Sequence, residues 1–286
     1  MLPYFFRHYD SWVDRYVVYD DGSDDGSLEL LAAHPRVELR RFERTVADSF
    51  VLSHTAMQNS AWHESRGVAD WVVITALDEH LFVRGRAMRA YLAAQKRRGV
   101  TYLPAVGFDT ISDTVPTAPV RLVDIARRGA PSRLFNKLSI FDPDAIVDTG
   151  FAGGRHVAKP TGRLWRPPRT ELLLFHFKNL GYARTRDRQC AQGERLGRHD
   201  RDARLGFQYL WDEAAFRANW TALDARAIDL TNLPRDPETI ADGWPRWPPQ
   251  PRRPTVSDRL RALPLLGPLL QICRRAARRV RRALGR

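Results

Sequence analysis

The sequence predicts an α/β fold with a mainly parallel sheet flanked by helices. Two observations point there. Over residues 1–180, short apolar runs rich in β-branched and aromatic residues alternate with stretches of helical spacing. Two of those runs also stop abruptly in acids, as expected of strands whose carboxyl ends border a ligand crevice.

The first run, Tyr16–Tyr19, reads as a buried strand. Asp20-Asp-Gly-Ser-Asp-Asp-Gly-Ser27 reads as the turn that ends it, with four carboxylates, two glycines and two serines. Such acids can accept hydrogen bonds from a ribose or a base, or hold a divalent metal; the plain alternative is a solvated surface turn. An EF-hand loop starting at Asp21 fails because its twelfth position is Ala32 and a strand-like run precedes it. An Asp-x-Asp phosphatase pair starting at Asp20 fails at Gly22.

Helical spacing follows over Ser27–Ala33, then a strand at Val37–Phe42 and a helix over Phe50–Glu64. The next strand, Trp71–Thr75, leads into Asp78-Glu-His80 and repeats the acidic ending. Carboxylates suit Mg²⁺ or Mn²⁺, and imidazole adds a ligand for softer ions. The same triplet equally suits a helix start, where acids meet the positive end of the macrodipole. A helix over Arg86–Arg98 and strands at Tyr102–Val106 and Leu138–Phe141 complete the pattern up to a glycine-rich basic loop, Gly150–Gly162. That loop offers backbone N–H groups, Arg155 and Lys159 to an anion. The last strand, Leu172–Phe177, continues into Lys178, and a spacing of two puts His176 and Lys178 on one side. A lone strand histidine is more often a core residue than a ligand. Beside an acidic metal site and a diphosphate, the pair reads as a metal ligand and a phosphate clamp. Residues Ala183 to Trp220 are charged, arginine-rich and helical in pattern.

A chain of 286 residues, 43% hydrophobic, can fold as one large domain with appendages. Two cysteines cannot build a disulfide framework or a structural zinc site, so a reducing compartment is expected. Residues 1–8 lack the basic and apolar regions of a signal peptide, and no apolar run reaches the ~18 residues that span a bilayer. The net charge of +13 is uneven: residues 252–286 hold eleven arginines against one acid, leaving only +3 for the rest. Seven of the nineteen prolines lie between Pro234 and Pro254, so 234–268 reads as an extended linker or strap. Beyond it, residues 269–286 form a basic amphipathic helix suited to an anionic membrane surface, which places the protein in the cytoplasm and peripherally at the inner face of the membrane. Nucleic acid is the disfavoured partner, because the tail has no interleaved aromatics for base stacking. Binding of the whole chain to anionic vesicles tests the membrane expectation, and a chain that ignores them refutes it.

These segments together resemble the family 2-like glycosyltransferases, in particular a bacterial branch with Leu-Pro-Tyr-Phe-x-Arg-His-Tyr and Asp-Glu-His-Leu patterns. The likeness rests on Leu2–Tyr9, Asp20–Ser27, Trp71–Phe82, Lys137–Phe141, Gly154-Arg-His156, Pro160-Thr-Gly162 and His176-Phe-Lys178, and covers residues 1 to 230. It implies a GT-A fold over residues 1–233, a nucleotide-diphosphate sugar donor, Mn²⁺ or Mg²⁺, and metal-dependent inverting transfer to a glycan or lipid-linked polysaccharide precursor. On that reading Asp20, Asp21, Arg155 and Lys178 hold the nucleotide sugar, and Asp78, Glu79 and His176 hold the metal. Asp113 or His156 serves as catalytic base, a choice the sequence leaves open. The branch's Asp-x-Asp has Ala76 at its first position here, and its opening strand, which ends near an Asn-Glu pair, is expected upstream of Met1 or shortened. The alternative is a non-catalytic relative that keeps the fold as a membrane-associated binding or scaffold protein.

Overall fold

The computed structural model describes residues 1–241, all within one compact unit. The remainder of the expected linker and the basic helix at 269–286 lie outside the described residues. The fold is α/β, with four sheets and helices packed around them.

Helix α1 (Leu2–Tyr9) starts with Pro3, whose missing N–H is no loss in a first turn, and turns Leu2, Phe5 and Tyr9 into the core. Strand β1 (Tyr16–Asp20), helix α2 (Ser27–Ala32) and strand β2 (Val37–Arg41) form a βαβ unit in which β1 and β2 pair in parallel. Helix α3 (Phe50–Ser60) is capped by Ser49, whose hydroxyl accepts from the Leu52 amide at 3.0 Å.

The expected mainly parallel sheet does not form. Its largest sheet has five strands in the order β12–β7–β6–β11–β4, and only β6 and β11 run parallel. Their ranges are β4 Glu79–Val83, β6 Val106–Ser112, β7 Arg128–Pro131, β11 Leu172–Leu180 and β12 Ile228–Asp229. A second sheet is antiparallel throughout, with β8 (Leu138–Phe141) between β3 (Val72–Val73) and β5 (Tyr102–Pro104). The short pair β9 (Ile146–Asp148) and β10 (Thr161–Gly162) is antiparallel as well. The reason lies in the connections. A parallel return needs a crossover of a dozen residues or more, usually helical. After helix α4 (Met88–Arg97) such crossovers are scarce: between the antiparallel neighbours β6 and β7 the only helix is α5 (Leu122–Ile125), of four residues.

Strand β11 lies between β6 and β4 and is buried along almost its whole length. Alternation sends Leu172 and Leu174 into one apolar core with α1, α4 and β4, and Leu173, Phe175 and Phe177 into another with Phe108 and Leu122. The expected strand Trp71–Thr75 is only Val72–Val73, and its expected acidic end is instead a turn at Asp78 followed by Glu79 and His80 at the start of β4, so the helix-start reading of that triplet is set aside. The charged stretch after residue 181 forms helices α6 (Tyr182–Glu194), α7 (Arg198–Asp202) and α8 (Glu213–Arg226). Beyond the expected domain end at 233, Ile240 and Ala241 pack on the second core, and the Glu238 carboxylate accepts from the Thr170 amide at 2.8 Å. Among the described residues no helix is long and apolar enough to cross a membrane.

Candidate functional site

The two acidic segments, the turn after β1 and the start of β4, meet one helix. Asp20 closes its own turn, accepting from the Gly22 amide at 2.8 Å and the Ser23 amide at 3.0 Å. Partial burial would raise its pKa, but hydrogen bonds from Ser23 and Gly22 and the charge of Arg195 outweigh that and hold it low. Asp21 accepts from Arg44 at 3.2 Å, and the same guanidinium donates to the Arg195 carbonyl at 3.1 Å. Arg195 is the C-cap of α6. Seven residues earlier on that helix, Arg188 donates to Asp78 Oδ2 at 2.7 Å. Arg184, Arg188 and Arg195 stand at spacings of four and seven, so they share one helix face. That arginine stripe runs from Asp78 toward the Asp20–Asp21 turn.

Asp78 and Glu79 are both buried, and both are answered by cations. The Asp78 carbonyl accepts from the Phe177 amide at 2.7 Å, which ties the turn to β11. Its carboxylate faces Arg188 and, at 3.5 Å, His176 Nε2. Burial opposes the charge, yet Arg188 and His176 prevail and hold this carboxyl well below the usual range. Glu79 takes Lys137 Nζ at 2.6 Å on Oε1, and the Arg155 guanidinium on Oε2. Against its burial, Arg155 and Lys137 bring its pKa down to about 2. Where the glycosyltransferase pattern would have an acid, Ala76 presents only its amide, which donates to Glu79 Oε2 at 3.3 Å.

His176 is sandwiched chemically and physically. Its ring stacks on Phe135 with centroids 4.0 Å apart, and its Nδ1 lies 3.0 Å from Asp109 Oδ1. Phe135 reaches this place because β6 carries Gly107, where a Cβ would stand 2.2 Å from the Phe135 backbone. Burial disfavours the imidazolium, but Asp78 and Asp109 raise the pKa to about 9. Both ring nitrogens therefore carry protons at neutral pH and face carboxylates.

This donor set does not fit Mn²⁺ or Mg²⁺. Both oxygens of Glu79 are occupied by cations, and Asp78 is paired with Arg188 and faces His176. Among the described residues no group of three or more His, Cys, Asp or Glu side chains is arranged to hold a metal ion. The expected trio of Asp78, Glu79 and His176 is brought together, but as parts of ion pairs. Three carboxylates, Asp78, Glu79 and Asp109, sit among Lys137, Arg155, His176, Lys178 and Arg188. A cluster with this excess of cations suits an anion.

Arg155, expected to meet the nucleotide sugar, points inward. Its backbone takes φ +56° next to Gly154 at +63°, and its buried guanidinium also donates to the Ile74 carbonyl at 2.7 Å and Ser139 at 3.1 Å. Lys178 stands against Tyr209: its Nζ lies 5.2 Å from the centre of that ring, and burial lowers its pKa while Asp109 raises it. Of the two expected bases, His156 lies beside the cluster with Nδ1 2.8 Å from the Leu134 carbonyl. Burial and Lys137 bring its pKa down to about 4. Asp113 is exposed beyond the end of β6, four positions past Asp109 and so ~13 Å along the strand. It does not join the cluster.

Asp109, Lys137, Arg184 and Arg188 were not among the expected site residues. Each left some signal: Asp109 is the only charge in Val106–Ser112, Lys137 heads an apolar strand, and the arginines recur at helical spacing. Comparison with protein-family models and with curated proteins found no match for this chain.

Proposed function

We propose that the chain is an inverting glycosyltransferase of GT-A type that uses a nucleotide-diphosphate sugar donor and a glycan or polysaccharide-precursor acceptor. One observation carries this reading: helix α6 joins the two acidic segments, through Arg188 to Asp78 at 2.7 Å and through Arg195 and Arg44 to the Asp20–Asp21 turn. A nucleoside at Asp20 and Asp21 would then lead its diphosphate along the arginine stripe. In the transfer, the acceptor oxygen attacks the anomeric carbon as the bond from that carbon to the β-phosphate oxygen breaks. The acceptor proton goes to a base, and the nucleoside diphosphate leaves as an anion stabilised by fixed cations. Asp78 and Glu79 are held too acidic to take that proton. Asp109 is the remaining carboxylate at the cluster, with Oδ1 fixed by His176 and Asn179 at 3.0 Å each.

The test is donor hydrolysis and transfer by the full chain across a panel of nucleotide sugars. Turnover with at least one donor is expected, with Asp109→Asn lowering kcat about a hundredfold and leaving donor affinity unchanged. The tight pairing of Glu79 favours a second reading, a non-catalytic binding or scaffold protein. Donor binding without turnover across the panel would select it.

A further inference from the structure

We propose that this site neutralises a diphosphate with Arg184, Arg188 and Lys178 in place of a divalent cation. The proposal rests on the donor reading above and specifies how that donor is held. Its first support is the closed donor set: the carboxylates that would bind a metal are already bound to protein cations.

The second support is that these three cations have capacity left for an anion. Lys178 makes no hydrogen bond or ion pair among the described residues; only the Tyr209 ring meets its ammonium. Arg184 Nη1 is buried without a partner among the described residues, an arrangement costly for a guanidinium donor unless a ligand completes it. Arg188 reaches Asp78 through Nη1 while its side chain stays 33% exposed, and its Nε and Nη2 make no hydrogen bond among the described residues.

The third support is position. Arg184 and Arg188 lie one turn apart on α6, the Lys178 carbonyl accepts from the Thr185 hydroxyl of the same helix at 3.2 Å, and the Phe177 amide next to Lys178 donates to the Asp78 carbonyl at 2.7 Å. The helix face that carries the two arginines ends at Arg195, whose carbonyl accepts from Arg44, the partner of Asp21. A diphosphate matches this arrangement chemically. Guanidinium forks take paired phosphate oxygens, and an ammonium adds a compact charge. The carboxylate of Asp78 then serves as the element that orients Arg188, which makes Asp78 a positioning residue.

Inorganic pyrophosphate is the probe, titrated calorimetrically into the full-length chain in EDTA and again with Mn²⁺. Binding in EDTA is expected, with an affinity that Mn²⁺ changes by less than about threefold. Lys178→Ala and Arg184→Ala should each weaken it by about tenfold or more, and Lys178→Arg should restore most of the loss. Circular dichroism confirms that each variant is folded. Pyrophosphate binding that requires Mn²⁺, that is absent in EDTA, or that ignores both alanine variants overturns the proposal. The donor reading is separated by nucleoside diphosphates. Tighter binding than pyrophosphate supports it; equal binding overturns that reading and leaves the anion site standing.

Discussion

Neutralising Glu79 would leave Lys137 and Arg155 facing each other in a buried site without their shared counter-charge. The three groups were taken out of water together, and removing one partner of such a set costs about 3–5 kcal/mol. Glu79→Gln should therefore lower the urea midpoint by an amount equivalent to that loss, with an unchanged denaturant slope. A loss below about 1 kcal/mol would show that Glu79 is not the keystone of this ion-pair cluster. Arg155 supports the prediction from the backbone side. A non-glycine residue at φ +56° is held there by its surroundings, and the bonds to Glu79, Ile74 and Ser139 are what hold it.

Helix α6 is the element on which the site depends, and Gly193 controls how closely it packs. Its inward face is Thr185, Gln189 and Gly193, and a Cβ at Gly193 would stand 2.7 Å from the Tyr209 carbonyl oxygen. Alanine raises helix propensity by about 1 kcal/mol, but a backbone oxygen cannot rotate away as a side chain would. Gly193→Ala should be net destabilising by about 1–3 kcal/mol in thermal melts, and moving Tyr209 should weaken anion binding at Lys178. A stabilised variant would mean that the turn at 207–210 yields freely. The sequence makes this helix legible as a charged, arginine-rich stretch, and the strands β1, β8 and β11 legible as apolar runs, because those patterns are local. It does not reveal that Arg188 meets Asp78 from 110 positions away or that Lys137 meets Glu79 from 58. Nor does it reveal strand direction, which depends on partners: β11 has one parallel and one antiparallel neighbour, and nothing in Leu172–Leu180 distinguishes the two edges. An acid at a strand end likewise looks the same whether a metal or an arginine will meet it.

At the scale of the molecule, buried histidines set opposing limits on stability. His8 and His80 stack with centroids 4.6 Å apart between α1 and β4, both buried. Burial, helped by the charge of Arg121, lowers the His8 pKa to about 4, against the Leu81 carbonyl and Asp124. Burial and the neighbouring His8 lower that of His80 to about 3, against Leu77 and Asp78. The unfolded chain binds these protons near pH 6.5 and the folded one does not, so stability falls as pH drops from about 6.5 toward 4. His176 works in the other direction. Its pKa of about 9 means that its contribution is complete below about 6.5 and is lost as pH rises through 9. The two windows meet near pH 6.5, so the unfolding free energy in EDTA should peak there and decline on both sides. His176→Gln should lose stability overall yet flatten the alkaline limb, while leaving the acid limb in place. A profile flat from pH 5 to 9, or an alkaline limb unchanged in that variant, would show that Asp78 and Asp109 do not hold an imidazolium between them. A flattened limb would establish His176 as a cation bridging two carboxylates, the arrangement that closes this cluster to a metal and leaves the arginine stripe to receive the anion.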